Sequence, residues 1–188
     1  MDQFLKIAGD YKNWNVYRKA VIICDVTELF IRKYSERGSR TADQMRQAAR
    51  SCKQNIVEGI TDATVSMETG IRLVGIAKGS ARELLEDYED YLRQNSHEIW
   101  DISDPKAMQT RAYCRVNDDP ATFVSKCADR PAATVANIMI TQLHQIDTLL
   151  GAVLRKMETV FISKGGIREH MSQTRRNWRS QNNQEKQG

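Results

Sequence analysis

Proline is scarce in this sequence, with three residues among 188, and aromatic residues make up only 7%. Prolines interrupt helices and aromatic residues favour strands, so their low numbers favour helix over sheet. Alanine, leucine, isoleucine, arginine, glutamate and glutamine are abundant, and most of these have a high helix propensity. A chain of this length is typical of one compact domain with its own core.

Long hydrophobic runs are also lacking. No window approaches the roughly 20 uninterrupted apolar residues that a membrane-spanning helix needs. The chain opens with Asp2 and Gln3 and then mixes charged and apolar residues, so a signal peptide is not indicated. We therefore expect a soluble, cytoplasmic protein without a membrane partner.

The residues that most often form metal or catalytic sites are few and scattered. Four cysteines occur singly, without a CxxC pair, and three histidines lie in separate segments without HxxxH or HExxH spacing. Cys24 and Cys52 fall on apolar helix positions, which favours buried structural thiols over metal ligands or disulfides. His144 and Asp147 are three residues apart on one helix, which favours a local hydrogen bond over catalysis.

Phosphate-binding loops are absent too, because the sequence has neither GxxxxGKS/T nor a GxGxxG that follows a strand. The carboxylates between Glu86 and Asp90 have the chemistry for acid–base or divalent-ion work, but such a run is more often a solvated helix face. We therefore predict no catalytic residue, no metal and no cofactor, and we expect that the protein is not an enzyme.

Helical periodicity is the strongest positive signal. The apolar spacing predicts four long helices, over 13–34, 44–59, 66–94, and from Pro131 to the glycine pair at 165–166. Thr41 with Gln44 is typical of a capping box before the second helix, and Gly59 is typical of its end. Turn residues between 95 and 130 separate two short helices, at about 105–114 and 121–128. The pattern also allows a short helix over 167–178.

These elements predict an all-α fold: an antiparallel up-down four-helix bundle with a short-helix insertion before the last long helix. The bundle would span residues 13–164, after an N-terminal arm over 1–12. Residues 165–188 would form a basic C-terminal tail, which is partly disordered because its end, SQNNQEKQG, has the composition of a disordered segment.

The second helix is the centre of the predicted packing. One of its faces is an apolar stripe that includes small residues, so a neighbouring helix can approach closely: Met45, Ala48, Ala49, Cys52 and Ile56. Ser51, Asn55 and Glu58 lie on the adjacent stripe, where buried hydrogen bonds to neighbouring helices are favoured over a direct functional role. Glycines inside the third helix each cost up to about 1 kcal/mol relative to alanine, so we predict that they serve close helix contacts: Gly70, Gly75 and Gly79.

Two groups of residues carry a family resemblance. The first is Gln44-Met45-Arg46 with Ala48-Ala49, Ser51 and Asn55-Ile56-Val57-Glu58-Gly59, and the second is Ala77, Gly79-Ser80 and Glu83-Leu84. Both groups resemble the markers of the four-helix-bundle proteins that include the 23S ribosomal RNA intervening-sequence proteins and the accessory protein of diversity-generating retroelements. Four further details are similar to one subgroup, which carries a C-terminal suffix segment: Asp43 to Met45, Leu84 to Leu92, Ala136 to Met139 and Gly165 to Glu169.

The resemblance covers roughly Trp14 to Arg176. It implies a four-helix bundle, a ring-like homopentamer, and a set of residues that maintain the fold: Gln44, Ser51, Asn55, Glu58, Gly59, Gly79, Ser80 and Glu83.

Charge is unevenly distributed, although the net charge is only +4. The segment from Ser163 to Gly188 holds six basic residues and two acidic ones, whereas Glu83 to Asp104 holds eight acidic residues and one basic one. Arginines beside an aromatic ring suit phosphate contacts and base stacking. The candidate nucleic-acid-binding residues lie on or just before the second helix and in the tail: Arg40, Arg46, Arg50, Lys53, Arg175, Arg176, Trp178 and Arg179.

Three functional hypotheses follow. The leading one is a non-enzymatic, oligomeric accessory or scaffold protein that binds RNA or DNA through basic patches, which a pentameric ring would repeat and so strengthen by avidity. The alternative is a protein–protein adaptor ring without a nucleic-acid role, because the polarised charge equally suits protein contacts. The third is an enzyme or small-molecule binder that uses the bundle interior.

Overall fold

The computed structural model describes residues 11–36, 38–164 and 171–179, and within them it contains helices and no strand. A 3-10 turn at Tyr11–Asn13 precedes six α-helices: α1 Asn15–Tyr34, α2 Arg40–Asp62, α3 Met67–Gln94, α4 Pro105–Val116, α5 Pro120–Ala128 and α6 Ala132–Lys164. Residues 171–179 are helical as well. The predicted all-α fold is confirmed, and the two short helices α4 and α5 lie where they were expected.

The four long helices pack in a closed circuit. α1 contacts α2, α2 contacts α3, α3 contacts α6, and α6 contacts α1. The two short helices lie along the α1–α6 side, because α4 packs against α6 and α5 packs against α1. The insertion between α3 and α6 therefore covers one side of the core.

The predicted terminal segments are described only in part. The structure describes Tyr11 and Lys12 of the arm predicted over 1–12. It describes residues 171–179 of the tail predicted over 165–188. In the described ranges, no helix is both long enough and apolar enough to cross a membrane.

The core is formed by the apolar faces of the long helices. The apolar stripe predicted for α2 is confirmed, since all five of its residues are buried. Where α1 and α3 face each other, the fully buried Tyr88 donates a hydrogen bond from its hydroxyl to Thr27 Oγ1 at 3.0 Å. The Phe30 ring packs edge-on against Tyr88 and Tyr91, with centroids 5.1 and 4.9 Å apart. Each aromatic pair adds about 0.5–1.5 kcal/mol beyond its burial, so this cluster helps to fix α1 against α3.

The start of α2 differs from the prediction. Ser39 is the N-cap, and its Oγ accepts a hydrogen bond from the Ala42 N–H at 3.3 Å. The helix therefore begins at Arg40, and the capping box predicted from Thr41 and Gln44 is wrong. Serine and threonine are similar N-caps, so the position of the preceding turn decides between them. That turn is at Gly38, whose φ of +77° disfavours any residue with a side chain.

A pair of glycines brings α2 and α3 close together. A Cβ on Gly70 would lie 2.6 Å from Ala63 Cβ and 2.7 Å from the Gly59 carbonyl oxygen. A Cβ on Gly59 would lie 2.8 Å from Val74 Cγ2. The role predicted for Gly70 is therefore confirmed. Gly59 does not end α2, as had been predicted, but lies inside it at the contact with α3, and the helix continues to Asp62.

The other two glycines of α3 have no such role. Gly75 and Gly79 are exposed, and a Cβ on either would meet no atom of the described residues within 4 Å. The close approach predicted at these two positions is wrong, because they lie on the side of α3 that faces away from its neighbours.

Candidate nucleic-acid interface and neighbouring polar sites

One of the candidate basic residues on α2, Arg46, is paired with acidic neighbours. Arg46 Nε lies 2.8 Å from Glu28 Oε2, and Arg46 Nη1 lies 2.8 Å from Asp43 Oδ1. The hydrogen bond that Arg46 donates to the Glu28 carboxylate is the main cause that raises the pKa of Arg46 above its usual value. A phosphate would have to compete with two carboxylates for this guanidinium.

The remaining basic residues of α2 differ in exposure. Arg40 and Arg50 are exposed, whereas Lys53 is half-buried. Burial raises the pKa of the Cys24 thiol to about 11, and the positive charges of Lys53 and Arg50 partly oppose this rise. Lys53 and Arg50 therefore lie near the α1–α2 contact, while Arg40 stands at the start of its helix.

The predicted tail residues are brought together. Arg175, Arg176, Trp178 and Arg179 all lie in the helical residues 171–179, and every side chain of this segment is exposed. Arg175 and Arg179 are four residues apart and Trp178 is three residues from Arg175, so these three share one helix face. The segment itself contains no acidic residue.

The polar stripe of α2, formed by Ser51, Asn55 and Glu58, makes some of the buried hydrogen bonds that the sequence predicted. Ser51 Oγ lies 2.8 Å from Ser80 Oγ of α3, and Asn55 Nδ2 donates to the Ser51 carbonyl oxygen at 2.9 Å. Because Ser80 is buried and Ser51 half-buried, this pair links the two helices below the surface. Glu58 is exposed, so the buried hydrogen bond predicted for it is wrong.

A groove between α2 and α3 contains several of the residues that carry the sequence resemblance. Apart from Ala48 of α2, the residues that line it are polar or acidic: Gln44, Gln47 and Ser51 from α2, and Ser80, Glu83, Glu86 and Asp87 from α3. Burial raises the pKa of the Asp87 carboxyl, and the neighbouring charges of Asp90 and Glu83 raise it further. Glu83 and Glu86 are exposed and Asp87 is half-buried, so this part of the acidic run is a largely solvated helix face that also forms one side of the groove.

The local hydrogen bond expected between His144 and Asp147 is replaced by a contact between helices. Asp147 Oδ2 lies 3.1 Å from Lys78 Nζ, and Asp147 Oδ1 lies 2.8 Å from Arg82 Nε. The carboxylate thus ties α6 to α3, while His144 is exposed. Sequence spacing within one helix does not reveal a partner on another.

Lys19 is a buried cation that the sequence analysis missed. Its side chain is 2% exposed, and its Nζ donates to the Cys114 carbonyl oxygen at 2.6 Å and to Gln142 Oε1 at 3.0 Å. Burial lowers the pKa of Lys19, although the charges of Cys114 and Asp118 oppose this shift. The sequence contained a signal for this burial, because Lys19 lies three residues after Val16 and four before Ile23, on the buried stripe of α1.

Comparison with known proteins assigns no family. No protein-family model, curated protein or solved structure matches the chain. Over the part of the chain that the structure describes, no group of histidine, cysteine, aspartate or glutamate side chains is arranged to hold a metal ion.

Proposed function

We propose that this chain is a non-enzymatic, oligomeric accessory or scaffold protein of the cytoplasm that binds RNA or DNA. The observation that carries the proposal is the segment 171–179, which is helical, exposed throughout and rich in arginine without an acidic residue. Trp178 is 63% exposed beside these arginines. Guanidinium groups that contact phosphates next to a ring that stacks on bases are the usual elements of single-strand binding.

Within this proposal the basic residues of α2 contribute unequally. Arg46 is held by Glu28 and Asp43, and a phosphate contact there would break these ion pairs. Arg40 and Arg50 add exposed charge, and Lys53 adds less because it is half-buried.

We also propose that the long helices form the antiparallel up-down bundle of the family that the sequence resembles. Contacts between neighbouring helices support this arrangement, because residues later in one helix meet residues earlier in the next. Between α1 and α2, Cys24 Sγ donates to the Ala49 carbonyl oxygen, and Glu28 pairs with Arg46. The same reversed order joins α2 to α3 in the pairs Gly59–Gly70 and Ser51–Ser80.

The homopentamer that the resemblance implies completes the proposal. A ring would present each arginine segment several times, so that a polyanion would be bound by avidity. Light scattering of protein that has been freed of nucleic acid, by nuclease and high salt, measures the assembly directly. A monomer in that experiment would remove the avidity argument.

The nucleic-acid part is tested by fluorescence anisotropy with labelled single-stranded RNA, single-stranded DNA and duplex DNA over a series of salt concentrations. The triple variant Arg175→Gln, Arg176→Gln and Arg179→Gln should bind more weakly. If each arginine contacts one phosphate, the slope of log K against log salt should become shallower by about 2 for single strands and by about 3 for duplex. Trp178→Ala should weaken single-strand binding more than duplex binding, because stacking requires unpaired bases.

A matched control changes the net charge equally at another place. Arg72→Gln, Arg155→Gln and Lys156→Gln replace exposed basic residues of α3 and α6, and should leave most of the affinity intact. Equal losses in the two triple variants would show that binding follows net charge alone and would refute the assignment to segment 171–179. Wild-type protein that binds none of the three probes at low salt would refute the nucleic-acid role.

The acidic groove between α2 and α3 favours a second candidate, a protein–protein adaptor. Glu83, Glu86 and Asp87 lie along one wall of this groove, opposite the amide side chains of Gln44 and Gln47. Such a surface is complementary to a basic segment of a partner protein. An oligomer that never carries nucleic acid, at low or high salt, would favour this candidate over the first.

A further inference from the structure

Lys19 forms part of a cavity between α1, α4, α6 and the loop 95–104. The cavity has a volume of about 540 Å³, within the range of about 300–1,000 Å³ that is usual for small-molecule sites. Lys19 is one of the residues that line the cavity, and it is only 2% exposed. Both of its hydrogen-bond partners are uncharged oxygens, and none of the ion pairs among the described residues includes it.

A buried cation without an anionic partner is costly. Lysine is almost never fully buried unless it is paired, because transfer of its charge out of water is unfavourable. The lowered pKa of Lys19 expresses the same penalty, since burial is its main cause and the charge of Asp118, which makes no ion pair with Lys19, opposes it only in part. An anion that entered the cavity would supply the missing partner and favour the charged amine.

The rest of the cavity wall is largely apolar. Trp100, Ile140 and Leu149 form part of it. At the loop, Ile99 and Ile102 also line the cavity, although they are 47% and 74% exposed. Large exposed apolar side chains beside a cavity suit contact with an apolar ligand.

Further charged groups line the same cavity and leave it with an excess of positive charge. Arg111 and Arg115 of α4 contribute two guanidinium groups, and Glu89 of α3 contributes one carboxylate. His144 lies on the wall as well. Counting Lys19, three cationic side chains face one anionic side chain, so an anionic ligand is favoured over a cationic one.

The loop over the cavity is fixed by hydrogen bonds. Asn137 Oδ1 accepts from the Trp100 N–H at 2.8 Å, and Asn137 Nδ2 donates to the Glu98 carbonyl oxygen at 3.0 Å. Arg111 Nη2 donates to the Ile102 carbonyl oxygen at 2.5 Å. A fixed wall lowers the entropy cost of binding, as expected for a preformed site.

An acceptor without a partner lies in the cavity wall as well. Gln145 Nε2 donates to the Arg111 carbonyl oxygen at 3.1 Å, while Gln145 Oε1 is buried and lacks a protein partner among the described residues. Buried polar atoms of this kind usually have a hydrogen-bond partner. A water in the cavity could donate to this oxygen, whereas a carboxylate could not, because it has no hydrogen to donate.

We propose that this cavity binds a small carboxylic acid with an apolar body, whose carboxylate pairs with Lys19 and whose body packs against Trp100, Ile140 and the exposed Ile99 and Ile102. The ligand class follows from the two ends of the site. The buried Lys19 offers a single ammonium, which suits a compact anionic head group, and the exposed Ile99 and Ile102 offer apolar side chains. This activity is independent of nucleic-acid binding, because none of the cavity residues lies in segment 171–179.

Isothermal titration calorimetry with octanoate tests the proposal. Two probes vary one property each: 1-octanol keeps the apolar body without the charge, and acetate keeps the charge without the body. We expect saturable binding of octanoate at one site per chain. The affinity of 1-octanol should be lower by about 10- to 100-fold because it lacks the charged hydrogen bond, and that of acetate by about as much because it lacks the apolar contact. Octanol that binds as tightly as octanoate would overturn the role of Lys19, and no saturable binding of octanoate would overturn the site.

Variants locate the site. Lys19→Met keeps a side chain of similar length without the charge, and should reduce octanoate affinity to that of octanol. Ile102→Glu places a repelling carboxylate at an exposed position of the mouth, where it does not disturb the core, and should weaken octanoate by about tenfold. Lys156→Met removes an exposed charge elsewhere and should leave the affinity unchanged. Unchanged affinity in Ile102→Glu would overturn the proposal even if Lys19→Met failed to fold.

Discussion

Alanine at Gly70 and alanine at Gly75 should have opposite effects on stability, although both positions lie in α3. Replacing glycine by alanine in a helix stabilises it by about 0.8–1.0 kcal/mol, and both variants share this gain. At Gly75 the new Cβ would meet nothing within 4 Å among the described residues, so the gain is kept. At Gly70 it would lie 2.6 Å from Ala63 Cβ and 2.7 Å from the Gly59 carbonyl oxygen, and neither atom can rotate away.

The size of the difference follows from the overpacking at Gly70. Excess volume in a well-packed interior costs about 1–3 kcal/mol, and contacts with backbone atoms belong at the upper end because two helices must separate. We therefore expect Gly70→Ala to be less stable than wild type by about 2 kcal/mol and less stable than Gly75→Ala by about 3 kcal/mol. For a chain of this size, the second difference corresponds to roughly 6–12 °C in Tm.

Urea unfolding followed by circular dichroism measures these free energies, with Gly79→Ala as a second exposed control. The m-values should stay constant, so that the midpoints alone report stability. The double variant Gly59→Ala with Gly70→Ala should cost less than the sum of the single variants, because both act at one contact. If Gly70→Ala were as stable as Gly75→Ala, α2 and α3 would not be in the close contact described above, and the reasoning would fail.

Two further predictions concern titratable groups. Burial alone would raise the pKa of Asp147, but hydrogen bonds from Arg82 and Lys78 outweigh it and lower the pKa. The stability that these contacts provide is full above the unfolded pKa of about 3.9 and is lost as pH falls through the lower folded pKa. The advantage of wild type over Asp147→Asn in urea unfolding should therefore disappear in acid, and a constant difference would contradict the ion pairs. Burial also raises the pKa of Cys52 to about 12 and of Cys24 to about 11, so a thiol-reactive disulfide reagent should label the folded protein slowly at neutral pH and the urea-unfolded protein rapidly. Rapid labelling of the folded protein would show that these thiols are accessible.

The helices and the buried stripe of α2 were predictable because both depend on local periodicity. The start of α2 was not, since Ser39 and Thr41 are equally good caps and the turn at Gly38 selects one of them. The glycines of α3 look alike in the sequence, and only the position of the neighbouring helix separates Gly70 from Gly75.

The candidate sites were predictable to a lesser extent. The arginines of the tail were identified from composition, and they share one exposed helical segment. The pairing of Arg46 with Glu28 depends on how α1 and α2 are aligned, which no spacing within α2 reveals. Lys19 was detectable as a lysine on an apolar stripe, but its partners Cys114 and Gln142 are distant in the chain and follow from the fold alone.

The contacts at the C-terminal end of α1 have a consequence for folding during synthesis. Lys33 Nζ donates to the Ala128 carbonyl oxygen, and Tyr34 donates from its hydroxyl to the Arg130 carbonyl oxygen. α1, α2 and α3 can pair as soon as each leaves the ribosome, because their contacts are between consecutive elements. The side of α1 that packs against α5 and α6 cannot be covered until almost a hundred further residues have been synthesised. Until then that apolar face remains uncovered. A nascent chain of this protein should therefore depend on chaperones or on slow translation until α6 emerges.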